Sequence, residues 1–216
     1  MDNNLKVKLN NTDRINGEIY DAIVAMRTCY KSNHLMDSTI GEFGHYAIGE
    51  GDFKLLKNGV KRGHLTPMEF ITLKIGISGL TRAILQEVAR HRTQTLNVQS
   101  TRYTIKKMKE DIIENMEKYF YIDLPHYGKF IEMIVDFIDN YGLWDLPNDK
   151  LKFYFPESLR CDLEMKVDLR NFFNFFKLRS SKAAHFLIQE LAGKMYEELP
   201  QILKDLVDID IERGNA

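Results

Sequence analysis

Cysteine is almost absent from these 216 residues, and the two that occur, Cys29 and Cys161, share no CxxC spacing. That is too few for a disulfide framework, and the cytoplasm is the expected compartment. Proline (5) and glycine (13) are too sparse to make a linker, and no segment repeats or falls in complexity, so a single domain over 1–216 is expected. Long apolar runs are missing as well. Nothing nears the roughly 18 residues of a membrane span, and no membrane partner is expected. The opening MDNNLKVKLNN lacks the apolar heart of a secretory signal. Neither sign of charge is in excess, since 30 Lys+Arg face 31 Asp+Glu for a net charge of -1. A dedicated nucleic-acid binder usually carries a basic surplus, so none is expected here and any anion must be met by a local cluster.

What is present is periodicity. Residues 17–30 place Ile19, Ala22, Ile23 and Met26 at helical spacing, and Asp52 is a candidate cap for a second helix that stops at Gly63. Ile71, Leu73, Ile75 and Ile77 then alternate as in a strand closed by Gly79, and Thr81 opens another helix. Thr95 to Ser100 alternates again, with Thr95, Asn97 and Gln99 on one side. Helical patterns follow at 105–120 and 127–141, and 144–150 is a turn. The cleanest alternation runs through Leu159, Cys161, Leu163, Met165 and Val167, with Arg160, Asp162, Glu164, Lys166 and Asp168 opposite, giving a half-buried strand with one wet face. Asp168 is a plausible N-cap for a helix over 169–178, and Ser180 or Ser181 for one over 182–197. About seven helices and three strands in hairpin-like order predict an α+β fold: a small central, largely antiparallel sheet flanked by helices.

The charge is concentrated. Residues 88–108 hold Arg90, Arg92, Arg102, Lys106 and Lys107 and no acid. Such a run is commonly a solvated basic face. Here, however, it is built on arginine, whose planar fork suits phosphate, and interleaved with short hydrogen-bonding residues from Thr93 to Thr101. Residue types alone therefore point to a nucleotide phosphate site while leaving the solvated face open. His34, His45 and His126 have no partner pattern, and no ligand spacing suggests a metal. Phe172, Phe173, Phe175 and Phe176 fall at helical spacing and suit a core or a subunit interface. Cys161 lies on an apolar strand face and reads as core, whereas Cys29 is undecided.

The segment 90–103, RHRTQTLNVQSTRY, resembles the RHRxxSxNxxSxRY signature of the flavin-dependent thymidylate synthases. Arg90, His91, Arg92, Asn97, Ser100, Arg102 and Tyr103 match it outright, and Thr95 keeps the hydroxyl of a serine. His64 to Glu69 is similar to that family's HxTPFE element, Leu169 to Arg179 to its NxRSLxNFLxLR element, and MRTCY at 26–30 to an early ARVSY-like stretch. The resemblance spans roughly residues 20 to 200 and implies the fold of that family.

It also implies roles. FAD would be held by His64, Thr66, Arg90, His91, Arg92, Asn97, Val98, Asp168, Leu169, Arg170 and Asn174. The substrate dUMP would be gripped by Glu87, Val88, Ala89 and Arg90, by Val98, Gln99, Ser100, Thr101 and Arg102, and by Lys152. Arg179 would be the catalytic group, activating uracil at its N3–O4 edge. The implied activity is reductive methylation of dUMP to dTMP, with methylenetetrahydrofolate as carbon donor and NADPH as reductant, no cysteine nucleophile, and a homotetramer with shared active sites. A dUMP hydroxymethylase, or a non-catalytic module that binds nucleotide or nucleic-acid phosphate, is the alternative. Departures from the family pattern are Asp168 for asparagine, Glu87 for glutamine, Lys152 for a phosphate-binding arginine, and Ala183 for a histidine; His185, two residues further on, reads as a partly buried helix residue. Arg90→Ala is expected to weaken binding of both dUMP and flavin, measured by titrating each ligand, and unchanged affinity for both would move the site elsewhere.

Overall fold

The computed structural model describes residues 4–29 and 49–215; Tyr30, His34 and His45 lie outside them. Four strands, β1 (Lys6–Leu9), β2 (Thr72–Thr81), β3 (Gln94–Val98) and β4 (Arg160–Asp168), make an antiparallel sheet in the order β1-β2-β4-β3. The helices are α1 (Ile15–Cys29), α2 (Glu50–Lys61), α3 (Arg82–Ala89), the single turns α4 (Thr101–Thr104) and α5 (Met116–Tyr119), α6 (Tyr127–Asn140), α7 (Asn148–Leu151), α8 (Leu169–Arg179), α9 (Phe186–Glu197) and α10 (Gln201–Asn215). The expected α+β class is the observed one. The chain packs as two units: the described residues of Met1–Lys6, Gly76–Arg90 and Leu96–Glu164, and those of Val7–Ile75, His91–Thr95 and Met165–Ala216.

β4 follows its predicted alternation: Cys161, Leu163, Met165 and Val167 are buried, and Asp162, Glu164 and Lys166 are exposed. β1 is a strand that the sequence did not announce. Its alternation covers only four residues, and a polar side chain extends its pairing. Asn10 N donates to Lys74 O at 2.7 Å, while the buried Asn11 amide donates to Thr72 O at 2.8 Å and accepts from Lys74 N at 3.0 Å.

In the second unit, α1 buries Ile15, Ile19, Ala22, Ile23 and Met26, the predicted stripe with one more residue at its start. Asp52 is not the N-cap of α2. Gly49 is, and Asp52 lies three residues inside, its carboxylate accepting from Gly49 N at 3.1 Å and from Arg27 Nη2 at 2.5 Å. Burial pushes the Asp52 carboxyl up, but the bonds from Arg27 and Gly49 and the Arg27 charge outweigh it and hold it below the usual range. The expected cap for α9 is corrected too. Neither Ser180 nor Ser181 serves; the helix starts later, and exposed His185 caps it, Nδ1 accepting from Leu187 N at 3.2 Å. The phenylalanines of α8 prove to be core of this chain: Phe172, Phe173 and Phe175 are buried, and Phe176 stacks on Tyr196.

In the first unit, Ile105, Met108, Ile112, Met116 and Phe120 meet Ile131, Val135 and Ile138 of α6 around Trp144 and Phe155. The predicted helix over 105–120 is broken into a 3-10 turn at Ile105–Met108, hydrogen-bonded turns over 109–115, and α5. Apolar spacing survives but the backbone does not stay helical, because the Asp111 carboxylate draws in Asn115 Nδ2, Lys118 Nζ and Tyr119 OH. The Tyr119 hydroxyl first, then the Lys118 ammonium, hold that carboxyl below the ordinary range. α6 forms as expected, since burying each large apolar side chain is worth roughly 1.5–3 kcal/mol against propensity losses of tenths. Its outer face is apolar too: Phe130, Met133 and Phe137, with Tyr141 just past its end, are exposed.

Gly79 does not close β2, which runs on to Thr81. It has φ +78°, its N–H donates to Asp162 Oδ1 at 3.0 Å, and its carbonyl accepts from Arg160 Nη1 at 2.6 Å. A Cβ there would lie 2.3 Å from the carbonyl oxygen of Asn4, so the close approach admits only glycine. Gly79→Ala is expected to destabilise the first unit by about 1–3 kcal/mol. Denaturant unfolding followed by fluorescence of Trp144, the one tryptophan and a member of that unit's core, measures it; an unmoved midpoint would mean that the Asn4 segment yields freely.

Candidate active site

α8 grows out of β4 without a loop. Asp168 makes the turn, its Oδ1 accepting from Asn171 N at 2.9 Å as the predicted N-cap, while Oδ2 accepts from Asn171 Nδ2 at 2.6 Å. The carboxylate is thus occupied by its own helix. Leu169 N donates to Ile71 O at 2.8 Å, which ties the start of α8 to the end of the 3-10 turn Thr66–Phe70. Glu69 on that turn forms an ion pair with Arg170. The His64–Glu69 and Leu169–Arg179 motifs, far apart in sequence, therefore meet in the second unit.

At the other end of α8, Arg179 stands one turn beyond Phe175, on the same side of the helix. His91 fills the angle between them. Its ring meets the buried Phe175 edge-on, with centroids 4.9 Å apart, and its Nε2 accepts from Arg179 Nε at 2.8 Å. Of the residues expected to hold flavin, His64, Thr66, His91, Arg92, Asp168, Leu169, Arg170 and Asn174 fall in this unit, and Arg90, Asn97 and Val98 fall in the first. Arg170 and Asn174 share an exposed face, and Thr66 and Arg92 are exposed as well. Leu169 is fully buried and offers only backbone.

In the first unit, Thr81 caps α3, its hydroxyl accepting from Ile84 N at 3.3 Å. The helix carries Glu87, Val88 and Ala89 and ends at Arg90. Val88 is wholly buried, so it too offers only backbone, and Glu87 Oε1 lies 3.6 Å from Arg90 Nη1. Beyond β3, Gln99 N donates to Asp162 O at 2.8 Å and Gln99 Oε1 accepts from Asp162 N at 3.1 Å, which prolongs the β3–β4 pairing by one residue. Ser100 and Thr101 then lead into α4, where Arg102 pairs with Asp149 at 2.9 Å and its carbonyl accepts from Asn148. Arg102, Tyr103, Lys106, Asn148 and Asp149 line a recess of about 370 Å³. Lys152 follows α7 directly, its ammonium 5.4 Å from the centre of the Phe153 ring.

Sequence reasoning did not single out Glu69, Asp149 or Asn148, each of which holds an expected site arginine. Glu69 lay inside a recognised motif; Asn148 and Asp149 carried no signal, because only folding brings them to Arg102. Among the described residues no three His, Cys, Asp or Glu side chains gather as metal ligands, and no helix is long and apolar enough to cross a membrane. Cys161 is buried, which pushes its thiol up despite the charge of Arg82, and Cys29 is exposed at the end of α1. 

A model of the family described as thymidylate synthase complementing protein matches residues 12–203. The chain is similar to the flavin-dependent thymidylate synthase of Campylobacter jejuni, 33% identical over 190 residues covering 82% of this chain and 85% of that protein. It is similar also to that of Wolinella succinogenes, 32% identical over 185 residues, with 82% and 86% covered. Among solved structures it resembles the flavin-dependent thymidylate synthase of Helicobacter pylori complexed with FAD and dUMP, at 26% identity and a TM-score of 0.74, covering 94% of this chain and 98% of that one. A second Helicobacter pylori structure matches the fold with a TM-score of 0.75 at 24% identity.

Asp168→Ala should cost about 1 kcal/mol of stability through the lost cap. Asp168→Asn should cost less, since its amide oxygen still accepts from Asn171 N; thermal unfolding of both variants is the check, and equal losses would show that the cap is not what matters.

Proposed function

This chain belongs to the family of flavin-dependent thymidylate synthases, and from that membership we propose that it methylates dUMP to dTMP, with FAD as cofactor and NADPH and methylenetetrahydrofolate as co-substrates. The observation that carries the proposal is the meeting of the His64–Glu69 turn, His91 and α8 in one unit, which sets a histidine-held arginine, Arg179, at one end of the helix and Arg170 at the other.

The residues present suit a flavin dinucleotide. Arg90, Arg92 and Arg170 offer exposed guanidinium forks for its diphosphate, Thr66 and Asn174 add neutral hydrogen-bonding groups, and His64, His91, Asn97, Val98, Asp168 and Leu169 complete the set. The chemistry that FAD supplies when bound is the reduction that makes the transferred carbon a methyl group. The chain's own residues bind and polarise. Arg90, Arg102 and Lys152 suit the dUMP phosphate, while backbone groups of Val88, Ala89 and Val98 to Thr101 and the side chain of Glu87 position the nucleotide. Lysine at 152 keeps the charge without the fork, so it contributes attraction more than orientation. The Arg179 guanidinium stabilises negative charge as it develops on the pyrimidine. Cys161 is no nucleophile, being buried with its thiol pushed up.

The exposed stripe of Phe130, Met133 and Phe137 on α6 and Tyr141 just past its end, with Phe153 and Tyr154 also exposed, supports self-association, which we propose is the homotetramer with shared active sites. Both units then serve a single catalytic domain over 1–216, working in the cytoplasm and needing neither nucleic acid nor membrane. Purified protein should be yellow from bound oxidised flavin and should oxidise NADPH. Arg179→Ala should keep that colour and lose turnover by roughly 10²–10³-fold, because the lost group stabilises charge. Colourless protein that neither takes up FAD nor oxidises NADPH would overturn the function, and normal dUMP turnover by the variant would overturn the role of Arg179.

A further inference from the structure

Arg102 is held twice by the start of α7. Asn148 Nδ2 donates to its carbonyl, and Asp149 Oδ1 lies 2.9 Å from its Nε. We infer that Asn148 is a positioning residue for Arg102: by fixing the backbone from which the guanidinium projects, it sets the fork where a nucleotide phosphate is met. The inference rests on the role proposed for Arg102 in binding dUMP.

The Arg102 carbonyl needs a donor from outside its own helix. α4 is one turn long, and the first N–H beyond it, of Ile105, returns to Thr101 O rather than to Arg102. The donor that answers is not engaged in capping, because α7 follows Pro147 without a side-chain cap and Asn148, its first residue, turns its amide toward α4. That amide is retained against stability. Its Oδ1 is buried and accepts no hydrogen bond among the described residues, which costs free energy, and such violations gather at functional sites. The donor is also anchored, since Leu151 in the same turn is fully buried in the core that holds Trp144 and Phe155. Asp149 cannot do this work alone. Its pair with Arg102 is more than half exposed on both sides and so holds weakly, and its carboxylate would repel an arriving phosphate. Asn148 is neutral, and its loss acts on phosphate binding in one direction only.

A double-mutant cycle tests this role, with dUMP affinity measured by titration of the FAD-loaded protein. Arg102→Ala should raise Kd by about 10²-fold through loss of charged hydrogen bonds. Asn148→Ala should raise it about 10-fold, with a smaller change in kcat, because the fork is present but no longer aimed. In the Arg102→Ala background the same substitution should change Kd by less than about 2-fold, since nothing remains to be aimed. Asn148→Leu, of similar size but without a polar atom, should bind dUMP as weakly as the Ala variant yet unfold at the wild-type temperature or above it. Additive effects of the two substitutions, or unchanged affinity in Asn148→Ala, would overturn the inference. A fall in unfolding temperature and bound flavin that parallels the lost affinity in both Asn148 variants would make Asn148 a structural residue, and would overturn it also. If wild-type protein forms no dTMP the proposed function fails, and if Arg102→Ala binds dUMP normally its phosphate role fails; the inference falls with either. Wild-type activity, a weakened Arg102→Ala and a normal Asn148→Ala sink the inference alone.

Discussion

The site depends on the turn at Asp168, where a strand becomes a helix with no residue between them. β4 must present Cys161, Leu163, Met165 and Val167 inward, and α8 must bury Phe172, Phe173 and Phe175. Those two periods join in only one rotational phase, and the Asp168 cap fixes it. Once it is fixed, Arg170 lies beside the Thr66–Phe70 turn and Arg179 reaches His91. Thr81 plays the same part between β2 and α3, again with a side-chain oxygen accepting from the N–H three residues on, and so delivers Glu87 and Arg90. Functional groups placed on the ends of regular elements inherit the precision of the core beneath them.

The economy of charge follows from that arrangement. A chain with a net charge of -1 keeps three arginines of the proposed site against carboxylates: Arg90 near Glu87, Arg102 with Asp149, Arg170 with Glu69. These pairs are largely exposed, and exposed pairs are worth only about 0–1 kcal/mol each. A phosphate that takes over such a fork displaces little.

Much of the fold was legible where one physical signal acted alone. β4, its wet face, the Asp168 and Thr81 caps, and the inward stripe of α1 all follow from period and capping chemistry, and the arginine cluster was visible as charge. The misreadings arose where two signals competed. Over 105–120 apolar spacing said helix, while Asp111 offered its neighbours other bonds. Asp52 looked like a cap because residue type says nothing of register; its carboxylate answers Arg27 as well as Gly49. The start of α9 went to His185, a cap that helix statistics rarely offer. Motifs placed the candidate site, but the pairings within it were beyond reach: Arg179 and His91 are 88 residues apart, and only side-chain packing brings them together.

Gln99 holds Asp162 through both backbone and side chain, so the residues that follow it leave the sheet from a clamped root. Ser100, Thr101 and Arg102 are thereby ordered before any ligand arrives. The cost of freezing a segment, about 1–2 kcal/mol per residue, is then met when the chain folds and would not recur with each binding of the nucleotide proposed to sit there. Through this clamp, a polar side chain at the end of a five-residue strand makes affinity at the neighbouring backbone a matter of entropy as much as of contact.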